Sequence, residues 1–157
     1  MKLKNKLLSF SVSIPCFESK ELWEPNAPSV KERVDTLKKV SNAGLPSMVA
    51  VRPLIPNISE VEIDKIIEFT YPYVFGYYSG PLYLKDSNRG LFTEKYIKNN
   101  NLLSTETQPE WMPKGNTFLK IENPNLMLYL KGKVEEYGKT FFDGAAQGID
   151  FIKNNKS

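Results

Sequence analysis

The sequence contains no histidine and a single cysteine, Cys16. Without an imidazole, every mechanism that rests on a histidine base, nucleophile partner or metal ligand is closed. One thiol forms no internal disulfide, no four-thiolate zinc site and no three-cysteine iron–sulfur site. No apolar run reaches the roughly 18 residues of a membrane span. Neither G-x-G-x-x-G nor G-x-x-x-x-G-K-[ST] occurs, so no phosphate loop is signalled. Excess charge is also lacking: Lys+Arg 21 against Asp+Glu 18 leaves +3. The lysines are scattered and make no stripe, so neither nucleic acid nor an anionic membrane is indicated as a partner. The start, residues 1–6, is basic and is followed by a short apolar run with no small-residue cleavage site. No signal peptide is expected there, and a cytoplasmic location is the expectation.

What remains is an ordinary globular composition, 41% hydrophobic and 25% charged over 157 residues, enough to bury a core. Residues 7–14 read as a mostly buried strand, stopped by Pro15. A polar loop follows over residues 16–28, where two prolines oppose regular helix. Ser29 and Glu32 make an S-x-x-E capping box. Val30, Val34, Leu37 and Val40 then recur at helical spacing, and Gly44 suits the helix end, so residues 29–43 are predicted helical. A second buried strand spans 46–51. Ser59 and Glu62 repeat the S-x-x-E pattern, with Ile63, Ile66, Ile67 and Thr70 on one helix face. A third strand covers 73–78 and breaks at Ser79-Gly80-Pro81.

Strand alternating with helix implies parallel pairing with right-handed crossovers. In such sheets function gathers beyond the carboxyl ends of the strands, here residues 13–18, 52–56 and 78–83. The second half is less regular. A short helix is expected at 94–99, a loop at 105–115, a short strand at 117–121 and a helix at 125–137 interrupted by Gly132. The last residues, 153–157, should fray.

Arg52 stands out, a guanidinium at the end of an apolar strand. It either offers its fork to a carboxylate or phosphate or pairs with Glu18 or Glu24. Ser11 and Ser13 share one strand face; Ser13 is either a ligand donor or a satisfied small polar residue. Cys16 reads as an inert thiol, because no histidine activates it. Glu18, Glu21 and Glu24 read as a solvated loop face rather than an acid–base or metal cluster. Tyr77, Tyr78 and Tyr83 either stack a planar ring or close the core.

Taken in order, Ser13-Ile14-Pro15, Glu24-Pro25-Asn26-Ala27-Pro28-Ser29, Arg33, Ala43-Gly44 and Val51-Arg52-Pro53-Leu54-Ile55-Pro56 form a specific set. Over roughly residues 7–84 the chain resembles the later part of the radical S-adenosylmethionine (radical SAM) barrel, in its DNA-repair-photolyase-like branch with the spore photoproduct lyase relatives. The resemblance implies a partial parallel (β/α) barrel in residues 1–84, whose three strands match the fourth to sixth of a (β/α)6 barrel. An irregular α+β extension would follow in residues 85–157. It implies S-adenosylmethionine as cofactor, its methionine carboxylate on Arg52, Ser13 near its ribose or methionine part, and Tyr77 and Tyr78 beside its adenine.

The family's C-x-x-x-C-x-x-C motif, which holds a 4Fe-4S cluster, is absent from this sequence. The resemblance is therefore to the carboxyl-terminal half of such a barrel, not catalytically competent alone. The missing amino-terminal half, or a partner chain supplying it, is the expected partner, and the open sheet edge could also join copies of this chain. A non-catalytic anion-binding or protein-interaction α/β module is the alternative.

Overall fold

The computed structural model describes residues 8–112, 114, 115 and 117–155, apart from the side chains of residues 86 and 87. Residue 7, expected to open the first strand, lies outside the described residues, as do the basic start, residue 113 of the predicted loop and the end of the predicted frayed tail. Strand β1 (Phe10–Ser13) is followed by a loop that holds one helical turn, α1 (Lys20–Trp23). Helix α2 (Val30–Asn42) opens on the expected reciprocal box. The Glu32 N–H donates to Ser29 Oγ at 3.3 Å, and the Ser29 N–H donates back to the Glu32 carboxylate at 2.8 Å.

Strand β2 (Ser47–Val51) and helix α3 (Glu60–Thr70) come next. The α3 box is only half made. Ser59 Oγ accepts from the Glu62 N–H, but the Glu62 carboxylate turns to the loop after β1 and accepts from Phe17 N, Ser19 N and Ser19 Oγ at 2.8, 3.1 and 2.9 Å. A 3-10 turn at Tyr71–Tyr73 shortens the third strand, so that β3 covers Gly76–Ser79.

Strand β4 (Leu82–Leu84), helix α4 (Glu94–Asn99), β5 (Leu103–Thr107) and β6 (Phe118–Glu122) follow, and the three strands form an antiparallel sheet in the order β4-β6-β5. β5 lies partly where a loop was expected. Its Leu-Ser-Thr-Glu-Thr run is almost wholly exposed, so no buried face imposes alternation on the sequence. Helix α5 (Pro124–Glu136) runs through Gly132 without a break. Strand β7 (Thr140–Phe142) and helix α6 (Ala145–Asn154) complete the chain.

β1, β2, β3 and β7 make a four-stranded sheet, parallel throughout, in that order. The α/β class and parallel pairing agree with the sequence. The fourth strand, from residues 140–142, was not anticipated, because Thr-Phe-Phe is too short to show a period. The register aligns Ser13, Ala50, Tyr78 and Phe142 in one row, and Ser11, Met48, Gly76 and Thr140 in another on the same face. We call this the inner face. On the opposite face Val49, Val51 and Tyr77 pack with Leu37 of α2, Ile63, Ile66 and Ile67 of α3, and Leu126, Leu130 and Val134 of α5 as the main core. The inner face carries a smaller cluster of Met48, Ala50, Tyr78 and Phe142, joined by Phe75 and Ala145. Helix α6 crosses it so closely that a Cβ at Gly148 would lie 2.2 Å from Met48 Sδ. Covered on both sides, β2 is buried at every residue.

Candidate functional site at the strand ends

The parallel strands direct their carboxyl ends to one rim, where β1 ends in Ser13 and β2 runs into Arg52. Ser13 Oγ donates to the Arg52 carbonyl at 3.0 Å. This bond ties the two strand ends together and leaves the serine's acceptor capacity open. On the free edge of β1, Arg33 from α2 donates through Nη1 to the Ser13 carbonyl at 2.9 Å and to Glu24 at 2.7 Å, and through Nε to the Pro28 carbonyl at 2.9 Å. A nearly buried guanidinium thus fixes the β1 rim and the Glu24–Pro28 loop together.

The two carboxylates considered as partners for Arg52 are engaged elsewhere. Glu24 pairs with Arg33, and Glu18 pairs with Lys65. Arg52 itself is exposed, and among the described residues its side chain has no hydrogen bond or ion pair. The backbone shapes its seat. The Leu54 N–H donates to the Gly80 carbonyl at 2.8 Å, and a Cβ at Gly80 would come within 3.0 Å of Arg52 Nε. Gly80, just past β3, therefore lets the arginine stem lie close over the main chain.

Beside Arg52 is a cavity of about 260 Å³, lined by Pro53, Pro81, Leu82, Tyr83, Trp111, Met112 and Phe118 as well as Arg52. Among the described residues Arg52 is its only charged lining side chain. Trp111 meets Tyr83 edge to face, with centroids 5.6 Å apart, yet stays 61% exposed. Sequence reasoning passed over Trp111 within a predicted loop. The available signal was a tryptophan and a methionine bracketed by Pro109 and Pro113, an apolar pair that a purely solvated loop does not need.

Tyr77 and Tyr78 point to opposite faces, as neighbours in a strand must. Tyr78 is on the inner face, its hydroxyl 2.8 Å from Ser11 Oγ. Tyr77 is fully buried on the helix-covered face, its hydroxyl 2.8 Å from Thr70 Oγ1, and burial pushes its phenol well above the ordinary range. The rim thus brings together Ser13 and Arg52 and adds Tyr83 and Trp111. Tyr78 stands on the inner face in the row of Ser13 with its hydroxyl turned to Ser11, and Tyr77 lies within the core.

Cys16 is fully buried. Desolvation above all, then the charges of Glu24 and Glu62, push its thiol up to about 11. It is a poor nucleophile at neutral pH. A 4Fe-4S cluster needs three thiolates, and one buried cysteine does not fit it. Among the described residues no group of three or more Cys, Asp or Glu side chains is arranged to hold a metal ion. None of their helices is long and apolar enough to cross a membrane.

The fold and rim define an α/β protein with an arginine at the carboxyl end of its parallel sheet. No family model, curated protein or solved structure matches the chain.

Proposed function

We propose that this chain is the S-adenosylmethionine-binding, carboxyl-terminal part of a radical SAM-type barrel, and that Arg52 holds the methionine carboxylate. The observation that carries this reading is the Arg52 guanidinium. It sits at a strand end, clear of Glu18 and Glu24, with room made by Gly80. A planar fork of donors suits a carboxylate better than any other side chain does. Ser13 stands beside it through the Arg52 carbonyl and would accept from a ligand hydroxyl or ammonium. Sequential parallel pairing, β1 to β2 to β3 to β7, is what a segment of a (β/α) barrel requires.

Bound at this rim, S-adenosylmethionine supplies the adenosyl group for radical chemistry. This chain's residues bind and orient it. An iron–sulfur cluster would have to be held by cysteines outside this sequence, on a preceding barrel half or a partner chain, and the edge of β1 that pairs with no other strand among the described residues is where such a half would join. The second reading, a small-carboxylate-binding module without cluster chemistry, draws on the cavity's single positive charge.

The test is calorimetric titration with S-adenosylmethionine and with 5′-methylthioadenosine, which lacks the carboxylate. The wild-type chain should prefer the former, and Arg52→Ala should weaken it roughly 10- to 100-fold, as expected for loss of charge-assisted hydrogen bonds. Equal binding of both ligands, or an unaltered Arg52→Ala, overturns the assignment. Binding of simple carboxylates without any preference for S-adenosylmethionine favours the second reading.

A further inference from the structure

The antiparallel sheet and the loop between its strands β5 and β6 do more than extend the chain. They bring Tyr83 and Trp111 to the same small cavity that Arg52 lines. Four features of that cavity argue together. Among the described residues its only charge is one guanidinium, and that guanidinium has no partner among them. A single fork matches a monoanionic carboxylate, whereas a phosphate dianion is ordinarily met by several cations or by a helix start. The remaining wall is apolar and partly aromatic, with Pro53, Pro81, Leu82, Met112 and Phe118 completing it. Trp111 is held by an edge-to-face contact with Tyr83 while most of its indole meets solvent. A tryptophan positioned by another ring yet left uncovered is suited to receive a further ring. The volume, about 260 Å³, lies just below the roughly 300 Å³ at which pockets for drug-sized molecules begin, so it suits one planar group rather than a long chain.

We propose that this cavity selects a carboxylate tethered to a planar ring, the carboxylate on the Arg52 fork and the ring against Trp111 in the bay closed by Tyr83 and Met112. The proposal rests on the reading of Arg52 as a carboxylate fork. It adds the part of the ligand that the fork does not see. S-adenosylmethionine, with a carboxylate and a purine, and a simple aromatic carboxylate are the two sources of such chemistry.

The experiment titrates the full chain with indole-3-acetate, acetate and S-adenosylmethionine by calorimetry and ligand-observed NMR. The wild type is compared with Trp111→Ala, Trp111→Phe and Arg52→Ala. All three substitutions are at exposed positions, and circular dichroism confirms that each variant is folded. Indole-3-acetate should bind more tightly than acetate. Trp111→Ala should weaken indole-3-acetate about threefold to tenfold while leaving acetate unchanged, the range expected for loss of one ring–ring contact. Trp111→Phe should restore most of that loss. Arg52→Ala should weaken both. A parallel loss for S-adenosylmethionine in Trp111→Ala makes the purine the ring in question; a loss confined to indole-3-acetate makes a simple aromatic carboxylate the ligand. If Arg52→Ala weakens binding but Trp111→Ala changes neither ligand, the aromatic subsite is overturned and the carboxylate fork stands. If Arg52→Ala changes nothing, both fall.

Discussion

Cys16 shows how one residue's surroundings set its chemistry. The thiol is enclosed after the end of β1 with the carboxylates of Glu24 and Glu62 nearby, and its pKa rises from 9.0 to about 11. Folding therefore favours the protonated thiol. Below pH 9 both states hold the proton and the full contribution is present. Between pH 9 and 11 the unfolded chain has released its proton while the folded chain keeps it, so stability falls as pH rises through that window. Urea unfolding of wild type and Cys16→Ala across this range should show the wild type losing stability more steeply. Parallel slopes would mean that Cys16 does not titrate differently in the two states. The same enclosure predicts slow alkylation of the native chain at neutral pH, because thiolate is the reactive form.

At the scale of the element, Glu62 joins the start of α3 to the loop behind β1. Its carboxylate collects two backbone N–H groups and a hydroxyl from Phe17 and Ser19, in a position that is 7% exposed. Glu62→Ala leaves those donors without an acceptor and should lower stability by roughly 2–3 kcal/mol, read as a fall in the urea midpoint. Ser29→Ala at the exposed α2 cap serves as the comparison and should lose about 1 kcal/mol. A Glu62→Ala loss no larger than that of Ser29→Ala would show that the loop is held by other contacts.

The two serine–glutamate pairs also mark how far the sequence can be read. Both were legible as helix starts, because local spacing decides a cap. That only Glu32 would close its box was not legible, because the competing partners of Glu62 lie 43 and 45 residues away in sequence. Strands β1 to β3 announced themselves by apolar runs between turn residues; β2 and β3 are buried throughout, whereas β1, expected to be mostly buried, alternates half-buried and exposed residues because it is the edge strand. β5 and β7 did not, one being polar and exposed and the other only three residues long. Arg52 was legible as a candidate from its place at a strand end. Its aromatic surround was not, since Trp111 reaches it through the fold rather than through spacing.

Taken whole, the molecule buries its parallel sheet unequally. The outer face is sealed by α2, α3 and α5, whereas among the described residues the helix on the inner face is α6, and the fit there is tight. Gly148 admits Met48, and Gly76 admits the ring of Phe142, whose Cε2 would lie 2.4 Å from an added Cβ. Phe151 of α6 stacks on Phe75 at 6.2 Å and 5°, and leans on Phe142 at 5.4 Å. The helix packs on the side of the face away from β1, against Met48 of β2 and Phe142 of β7, and leaves Ser11 and Ser13 of the β1 edge exposed. In a closed barrel the inner face would be lined by other strands; here one helix shields it. Ending the chain before α6, after residue 144, should uncover the Met48, Tyr78 and Phe142 cluster, an apolar surface of the kind that drives association. The truncated chain should bind the dye ANS strongly and increase in mass with concentration by light scattering. The intact chain should give little dye signal under the same conditions. Gly148→Val tests the same contact without truncation, because a branched side chain at this position cannot coexist with Met48 as placed; it should raise the dye signal and lower stability by about 1–3 kcal/mol. A truncated chain that stays monomeric and dye-silent would show that α6 is not what closes the inner face.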